Sequence, residues 1–512
     1  MRTRFLPPLA VGAATLAYLW AYPLAIGRAD ESHFLFEARR VLDGEVPYRD
    51  FFESLTPLGF YWLAALYALA GTTLRTARAG IALVDAAAAL LLFQLARRVA
   101  GWPEALLATL AFVCLALPVW PYASPHWLST ALGLATAAVV LAPRWQASWG
   151  WRPLLAGLLA GAAFGVQQQR GAFLALWLPC AWAVLGAALP RAARWRTVVG
   201  ATLASGAGAL LVVVPLLAHA AWRASWAGLF DMVFGFALEH YGPTHSGRTA
   251  WAAVLMLTQM HAAATWLWLL RVAPLLVAVE AVLLARDWRR GATPATRAGV
   301  VLALLALWMG LSIAYLPDFI HVAFVLPFLL LPAAALVHRL RALPMPAARR
   351  AAQLGLGLAA LAVAAQGAIN LRAAHAAAPR RFVSAGFGAL DGDGATQRLY
   401  DAVQRHLVHD ADGRARLYSY PNEAWLYLAL PAENVTPYSL LVANMFPRED
   451  IERVIATLRA RQPGTVVLWL PFAGEVAGAG VPPAIEAGYD AVEEVDGFRI
   501  YTRRGAAPEP GA

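Results

Sequence analysis

Asp30 and Glu31 stand side by side just after the first apolar run, at the head of a loop where acids outnumber bases. Between Arg28 and Phe60, seven acids (Asp30, Glu31, Glu37, Asp43, Glu45, Asp50, Glu53) face four arginines (Arg28, Arg39, Arg40, Arg49), a net of 4 − 7 = −3. A carboxylate set beside a hydroxyl can take its proton as that hydroxyl attacks, which is general-base work. The negative charge that then develops on a leaving group is stabilised by prearranged cations. Here those must be arginine or histidine, because all 41 Lys+Arg residues are arginine. The planar guanidinium fork suits phosphate oxygens, and Arg78, Arg170 and His321 are the candidate phosphate contacts. Asp30 is the candidate base and Glu31 its helper, although the same pair also fits a solvated helix start, with Asp30 as N-cap.

Further polar groups offer substrate contacts, each with a plainer reading beside it. Tyr48 and Asp50 lie in Tyr48-Arg49-Asp50-Phe51-Phe52, which reads either as a binding element or as an interfacial turn packing aromatics. His126 sits in the acid-free stretch Tyr122-Ala-Ser-Pro-His126-Trp, as a reactive group or a hydrogen-bonded structural one. Gln168 belongs to Gln167-Gln-Gln-Arg170, four polar residues ending an apolar run. Such a cluster is costly in lipid unless it lines a wet cavity or holds a polar group. Asp318 and His321 are three residues apart, on one helical face, as a ligand pair or a helix cap. Arg75 and Arg78 suggest a nearby anion, with snorkelling as the alternative.

What must position these groups is a bundle of membrane helices. The chain is 60% hydrophobic and 14% charged over 512 residues, which argues against an ordinary soluble protein. Apolar runs of about 20 residues recur, each able to cross a hydrocarbon core of roughly 30 Å. About eleven spans are expected, near residues 5–26, 77–98, 103–120, 127–142, 153–166, 172–189, 197–220, 264–285, 297–315, 322–338 and 351–369. Alternate loops collect the arginines, among them Arg97, Arg98, Arg191, Arg194, Arg196, Arg286, Arg289, Arg290, Arg339 and Arg341, while the loops at 119–126 and 316–321 hold none. With the arginine-rich side inside, the N-terminus is cytoplasmic. Asp30, Glu31, Arg78, His126, Gln168, Arg170, Asp318 and His321 then all fall on the outer side. The piece at 57–70 is too short for a full span and is read as a surface or partly inserted helix; counting it as a span would reverse the arginine bias. In the first loop, Phe34, Leu35, Ala38, Val41 and Leu42 form one helical stripe, expected to lie in the membrane interface.

Arg2 and Arg4 precede the first run with no small-residue cleavage site, as in a retained anchor. Cys114 and Cys180 lie inside apolar runs, so no disulfide framework is available. From about 370 the composition changes: residues 370–512 hold 14 arginines and 17 acids. Short strand-like runs (Arg416–Tyr420, Thr465–Leu470, Phe498–Thr502) alternate there with a helical pattern at Arg448–Ala460. The expected organisation is a membrane domain over 1–369, its first outer loop at 27–76, and a small extracytoplasmic α/β domain over 370–512. HExxH, P-loop and GxGxxG patterns are absent, and a pI near 9.9 reflects arginines at the inner membrane surface, not nucleic-acid binding. Acid and guanidinium groups on one outer face suit a reaction whose leaving group is a phosphate anchored in lipid.

Asp30-Glu31 after the first span, the following EARRVLDGEVPYRDFF, TPLGFYWLAALYALAG with Arg78, LARRVAG, and the block from Leu316 to Pro327 together resemble the GT-C superfamily of integral membrane glycosyltransferases. Within it they are similar to the family-39 proteins, which include protein O-mannosyltransferases and lipid A aminoarabinose transferases. The likeness spans most of residues 1–340 and is specific over 28–101. It implies a mainly α, polytopic GT-C fold, a polyprenyl-phosphate sugar donor and inversion at the anomeric carbon. It also matches Asp30 to the first-loop catalytic acid and Arg78 to the arginine that closes that region. Two departures stand out. Thr56-Pro57 occupies the place where the family often has lysine before its proline pair, so a phosphate contact must come from elsewhere. His126 stands in the second outer loop, where many relatives carry an acid, so catalysis without a metal or other cofactor is expected.

The expected function is therefore a hexosyl- or pentosyltransferase of the inner (plasma) membrane, using a polyprenyl-phosphate sugar and a glycan, lipid or protein acceptor at the outer face. The competing reading is a transporter or flippase of lipid-linked sugars, which needs polar groups within spans; Asp85 and Glu280 are its candidates. A third is a non-catalytic scaffold that presents the C-terminal domain.

Overall fold

The computed structural model describes residues 6–28, 30–142, 150–241, 268–315, 318–441, 446–471 and 480–504. The expected start of the eighth span, Leu316-Pro317 and the C-terminal tail lie outside them. Helix α1 (Leu6–Trp20) leads to α2 (Asp30–Leu42) and α3 (Leu58–Ala70). Those two have 13 residues each, about 20 Å of rise, and fall short of a membrane core. The bundle continues with α4 (Leu74–Ala96), α5 (Trp102–Ala111), α6 (Pro125–Val140), α7 (Arg152–Val166), α8 (Gln168–Gly186), α9 (Arg191–Arg223) and α10 (Trp226–Phe230). Then come α11 (Trp268–Gly291), α12 (Pro294–Leu311), α13 (Phe319–Arg341) and α14 (Pro346–Ala377). A helix occupies each expected span, and among the described residues 6 are long and apolar enough to cross a membrane. The protein is a multi-span membrane protein.

Side-chain caps start the helices that matter for the site. Thr73 Oγ1 accepts from the Thr76 N–H at 3.1 Å ahead of α4, and Ser124 accepts from the His126 N–H at 3.3 Å ahead of α6. Asp318 does the same for His321 at 2.8 Å ahead of α13. Each fills one of the orphan donors at a helix start. Between helices, small residues set the spacing: Gly157, Gly161 and Gly165 recur every fourth position of α7, a close-approach stripe. A Cβ at Gly157 would meet the Ser205 carbonyl oxygen of α9 at 2.0 Å, so only glycine fits. Buried indoles fix the layers, with Trp177 Nε1 donating to Val301 O at 3.1 Å and Trp182 Nε1 to Ser205 Oγ at 2.9 Å.

Helix α14 runs through residue 370 to Ala377, so the composition change falls inside it. Beyond lie a hairpin, β1 (Arg380–Ser384) and β2 (Gly388–Gly392), then α15 (Gly394–Arg405), β3 (Arg416–Tyr420), α16 (Trp425–Ala429) and β4 (Glu433–Asn434). The chain ends in α17 (Arg448–Arg461), β5 (Thr465–Trp469), α18 (Val481–Gly488), β6 (Tyr489–Val495) and β7 (Phe498–Arg503). The five-stranded sheet has the order β4-β3-β5-β7-β6, parallel at β3/β4 and β3/β5 and antiparallel at β5/β7/β6. The three expected strand runs and the expected helix all appear.

The α2 stripe departs from expectation. Phe34, Leu35 and Ala38 are buried in protein, not set in the membrane interface. Phe34 packs on Phe60 of α3 (centroids 5.3 Å apart), and Phe36 stacks on Tyr427 of α16 at 4.8 Å. Helix α2 is thus clamped between the bundle and the C-terminal domain, each buried phenylalanine contributing about 1.5–3 kcal/mol. Arg28 completes the clamp through a two-pronged pair with Glu423, both contacts at 2.9 Å.

Candidate functional site

Asp30, His33 and Glu37 fall at i, i+3 and i+7 of α2, one face of the helix, and that face opens the site. Asp30 and His33 line a cavity of about 380 Å³ together with Glu53, His126, Asp318 and His321. Asn422, Ser439, Leu440 and Phe446 of the C-terminal domain close it on the far side. Asp30 is accessible to the cavity, and none of the described residues hydrogen-bonds its carboxylate. The protein walls desolvate that carboxyl and raise its pKa above the usual aspartate value, while the His33 and His321 charges pull it partway back. A free carboxylate of raised basicity, aimed into a cavity, is suited to proton abstraction.

His33 is held at both ring nitrogens. Nδ1 lies 2.6 Å from Ser439 Oγ and Nε2 lies 3.1 Å from Glu53 Oε2. Ser439 in turn hydrogen-bonds Glu37 Oε1, an arrangement in which His33 donates to the serine and the serine to the glutamate. Burial pulls the His33 pKa down, but Glu53, Glu37 and Asp30 outweigh it and push it up to about 9. Burial also pushes Glu37 up to about 7, against the pull of Arg40, His33 and Ser439. Around neutral pH, His33 is therefore an imidazolium beside the Asp30 carboxylate.

His126 and His321 form the opposite wall, ring centroids 5.3 Å apart and edge to face. Gln167 Nε2 donates to His126 Nδ1 at 3.0 Å, and the ring stacks on Phe324 at 4.4 Å. That contact leaves His126 Nε2 to carry the proton of a neutral ring. Asp318 Oδ1, besides capping α13, lies 2.8 Å from His321 Nδ1; burial raises its pKa, but the His321 contacts win and leave it below the usual range. The dyad fixes the His321 ring and leaves Nε2 as its free nitrogen.

The structure does not bring the other sequence-derived residues into this cavity. Glu31 and Arg78 hold each other: Arg78 Nε donates to Glu31 Oε1 at 2.6 Å and Nη2 to Oε2 at 2.8 Å. Glu31 also accepts from the Gly27 and Ala123 N–H groups, each at 2.7 Å. The pair joins the first loop, α4 and the segment before α6 as a tie, in which Arg78 also donates to Pro121 O and Ala25 O and so spends four of its five N–H groups on the protein. Arg170 lies behind His126, 2% exposed. Its Nη1 donates to His126 O at 2.9 Å and Thr130 Oγ1 at 2.6 Å, so it braces the wall. Gln168 Nε2 donates to Ser54 O at 2.8 Å and Val233 O at 3.2 Å, holding the loop that carries Glu53. Tyr48, at φ 67, sends its hydroxyl to Leu55 O at 2.6 Å, and Asp50 accepts from Val46 N–H at 2.8 Å and pairs with Arg49. Both shape the turn that returns the chain to the cavity.

His33, Glu53 and Ser439 line the cavity with Asp30 and are the residues that sequence reasoning passed over. The first was within reach: its three-residue spacing from Asp30 sets both on one face. Among the described residues, no group of three or more His, Cys, Asp or Glu side chains is placed to hold a metal ion together.

No protein-family model matches the chain, and no curated protein is significantly similar to it. Solved structures are. ArnT from Cupriavidus metallidurans bound to undecaprenyl phosphate superposes with a TM-score of 0.64 at 12% identity, covering 99% of both chains. Its apo form gives 0.62 at 14% identity, again over 99% of both. The Archaeoglobus fulgidus oligosaccharyltransferase crystallised with zinc and sulfate gives 0.56 at 13% identity, over 96% of this chain and 73% of that one. From the first helix to the last strand, this chain shares the GT-C-type fold of these solved structures.

Proposed function

We propose that the protein is a glycosyltransferase that moves a sugar from a polyprenyl-phosphate donor to a glycan, lipid or protein acceptor at the outer face of the inner (plasma) membrane. The N-terminus would be cytoplasmic, and the C-terminal domain, from about 370 onward, would cover the site from outside. The observation that carries this reading is the unpartnered Asp30 carboxylate facing His126 and His321 across one cavity. ArnT with its bound undecaprenyl phosphate supports the donor class.

In the transfer, Asp30 takes the proton of the acceptor hydroxyl while its oxygen attacks the anomeric carbon. The bond from that carbon to the phosphate oxygen breaks, and polyprenyl phosphate leaves with the electron pair, on the face opposite the attack. The protonated His33 keeps Asp30 ionised. His126 supplies its Nε2–H to the departing phosphate, and His321 donates through Nε2 when its ring carries both protons; Arg78 is held by Glu31, and Arg170 acts from behind through His126. Purified protein given radiolabelled polyprenyl-phosphate sugar and envelope acceptor should form labelled product that Asp30→Asn does not. Equal turnover by the variant would remove Asp30 from this role, and mass spectrometry of envelope glycans from a deletion strain would identify the acceptor.

A further inference from the structure

A second cavity, of about 580 Å³, lies across Trp120 from the Asp30 site, and the transfer makes no use of it. Its mouth is basic. Arg75 is exposed, with its guanidinium carbon 5.2 Å from the Trp20 ring centroid, and Arg380, the first residue of β1, lines the same cavity. Neither has an ion pair or hydrogen bond among the described residues, whereas Arg78 and Arg381, also on the wall, are taken by Glu31 and Asp391. Two free guanidinium groups and a tryptophan at an interface, at the end of the bundle that the arginine distribution otherwise avoids, favour an anionic lipid headgroup.

The other end of the cavity gives a second, independent sign. Asp85 lines it, is 3% exposed, and has no hydrogen-bond partner for Oδ1. Arg75 and Asp85 share one face of α4, with Arg78 and Ala82 between them, about 15 Å apart along the axis. A buried acid without a donor is costly, and a ligand that reaches down the cavity with a hydroxyl would relieve it. We propose that this cavity binds a lipid whose headgroup carries both a phosphate and hydroxyl groups, the phosphate between Arg75 and Arg380 and a hydroxyl donating to Asp85. It is a site separate from the donor cavity and independent of the transferase reading.

The test is a titration of the full-length protein in detergent with dioctanoyl phosphatidylglycerol, dioctanoyl phosphatidylcholine and inorganic phosphate, read by native mass spectrometry. One phosphatidylglycerol per chain should bind saturably, and the Arg75→Gln/Arg380→Gln variant should weaken it about tenfold or more. Asp85→Leu should weaken it too; the arginine variant, changed only at exposed positions, keeps the test decisive if that chain fails to fold. Phosphatidylcholine and inorganic phosphate should each bind at least about tenfold more weakly. Asp30→Asn should bind phosphatidylglycerol normally, which separates this site from the transfer reaction. Unchanged phosphatidylglycerol binding in the double-arginine variant would overturn the proposal. Equal binding of phosphatidylcholine would do so as well, and inorganic phosphate binding as tightly as the lipid would reassign the site to free anions.

Discussion

His33 Nε2 stands 3.1 Å from Glu53 Oε2 while the same ring's Nδ1 stands 2.6 Å from Ser439 Oγ. One imidazole thus joins the helix that carries Asp30, the returning segment of the first loop and the C-terminal domain. Its charge lowers the pKa of Asp30, so removing it must raise that pKa further. In His33→Gln the acid limb of kcat/KM against pH should move to higher pH, and activity below neutrality should fall more than activity above it. A limb that stays in place, measured by release of labelled sugar, would mean that His33 only holds the fold.

Asp30→Asn should separate function from stability. The carboxylate has no hydrogen-bond partner to lose among the described residues, so the thermal midpoint should stay within the small range of surface changes, about 0.5 kcal/mol. Transfer should fall by roughly 10²–10⁴-fold, the usual worth of a general base. A large loss of stability with a small loss of rate would contradict the assignment.

The sequence made the architecture readable because hydropathy and arginine placement act locally. Asp30 was visible as an acid directly after a span, and Asp318 with His321 as a three-residue pair at a helix start. The partners of other residues were not, since pairing across the fold leaves no local trace. Glu31 and Arg78 are 47 positions apart, and the pairing turns two apparent site residues into a structural tie. Ser439 reaches His33 from 406 positions away. The α2 stripe looked like membrane-facing surface because no periodicity can tell lipid from the C-terminal domain that covers it. The tripeptide Asn434-Val-Thr436 matches a glycosylation sequon, yet both polar residues are buried: Asn434 Oδ1 accepts from Thr436 N–H at 2.9 Å and Nδ2 donates to Tyr438 O at 2.9 Å.

Breaking the Glu31–Arg78 tie should unfold the site's foundation. Arg78→Ala leaves Glu31 buried without its cation, a change that typically costs about 3–5 kcal/mol. Replacing both residues by apolar ones of similar volume removes the unpaired charge but leaves the Gly27 and Ala123 N–H groups without their acceptor, so only part of that loss should return. Thermal unfolding of the two singles and the double variant gives the coupling directly. Additive losses would show that the two side chains act separately.

Gly171 carries the reversal between α7 and α8. A Cβ there would lie 2.0 Å from the Phe164 nitrogen, far inside contact distance, so Gly171→Ala must push the two helices apart. The hairpin aims Gln167 at His126 and Arg170 at the His126 carbonyl. A loss of about 1–3 kcal/mol is expected, together with a rate loss that Ala at the exposed Gly200 should not reproduce.

The same imidazole sets the response of stability to alkali. His33 is raised from 6.5 to about 9 on folding, so its contribution is fully present below 6.5 and is lost as pH rises through about 9. Glu37, raised from 4.5 to about 7, acts in the same direction, its contribution present below 4.5 and lost as pH rises through about 7. Both losses fall where Ser439 links the C-terminal domain to α2, so the wild-type thermal midpoint should decline steadily between about pH 4.5 and about pH 9. In His33→Gln the imidazole part of that decline disappears and the curve should flatten at its alkaline end, while Ser439→Ala should lower the midpoint without removing the slope. A wild-type midpoint that rises with pH, or a His33→Gln curve parallel to it, would show that this ring is not charged in the folded protein.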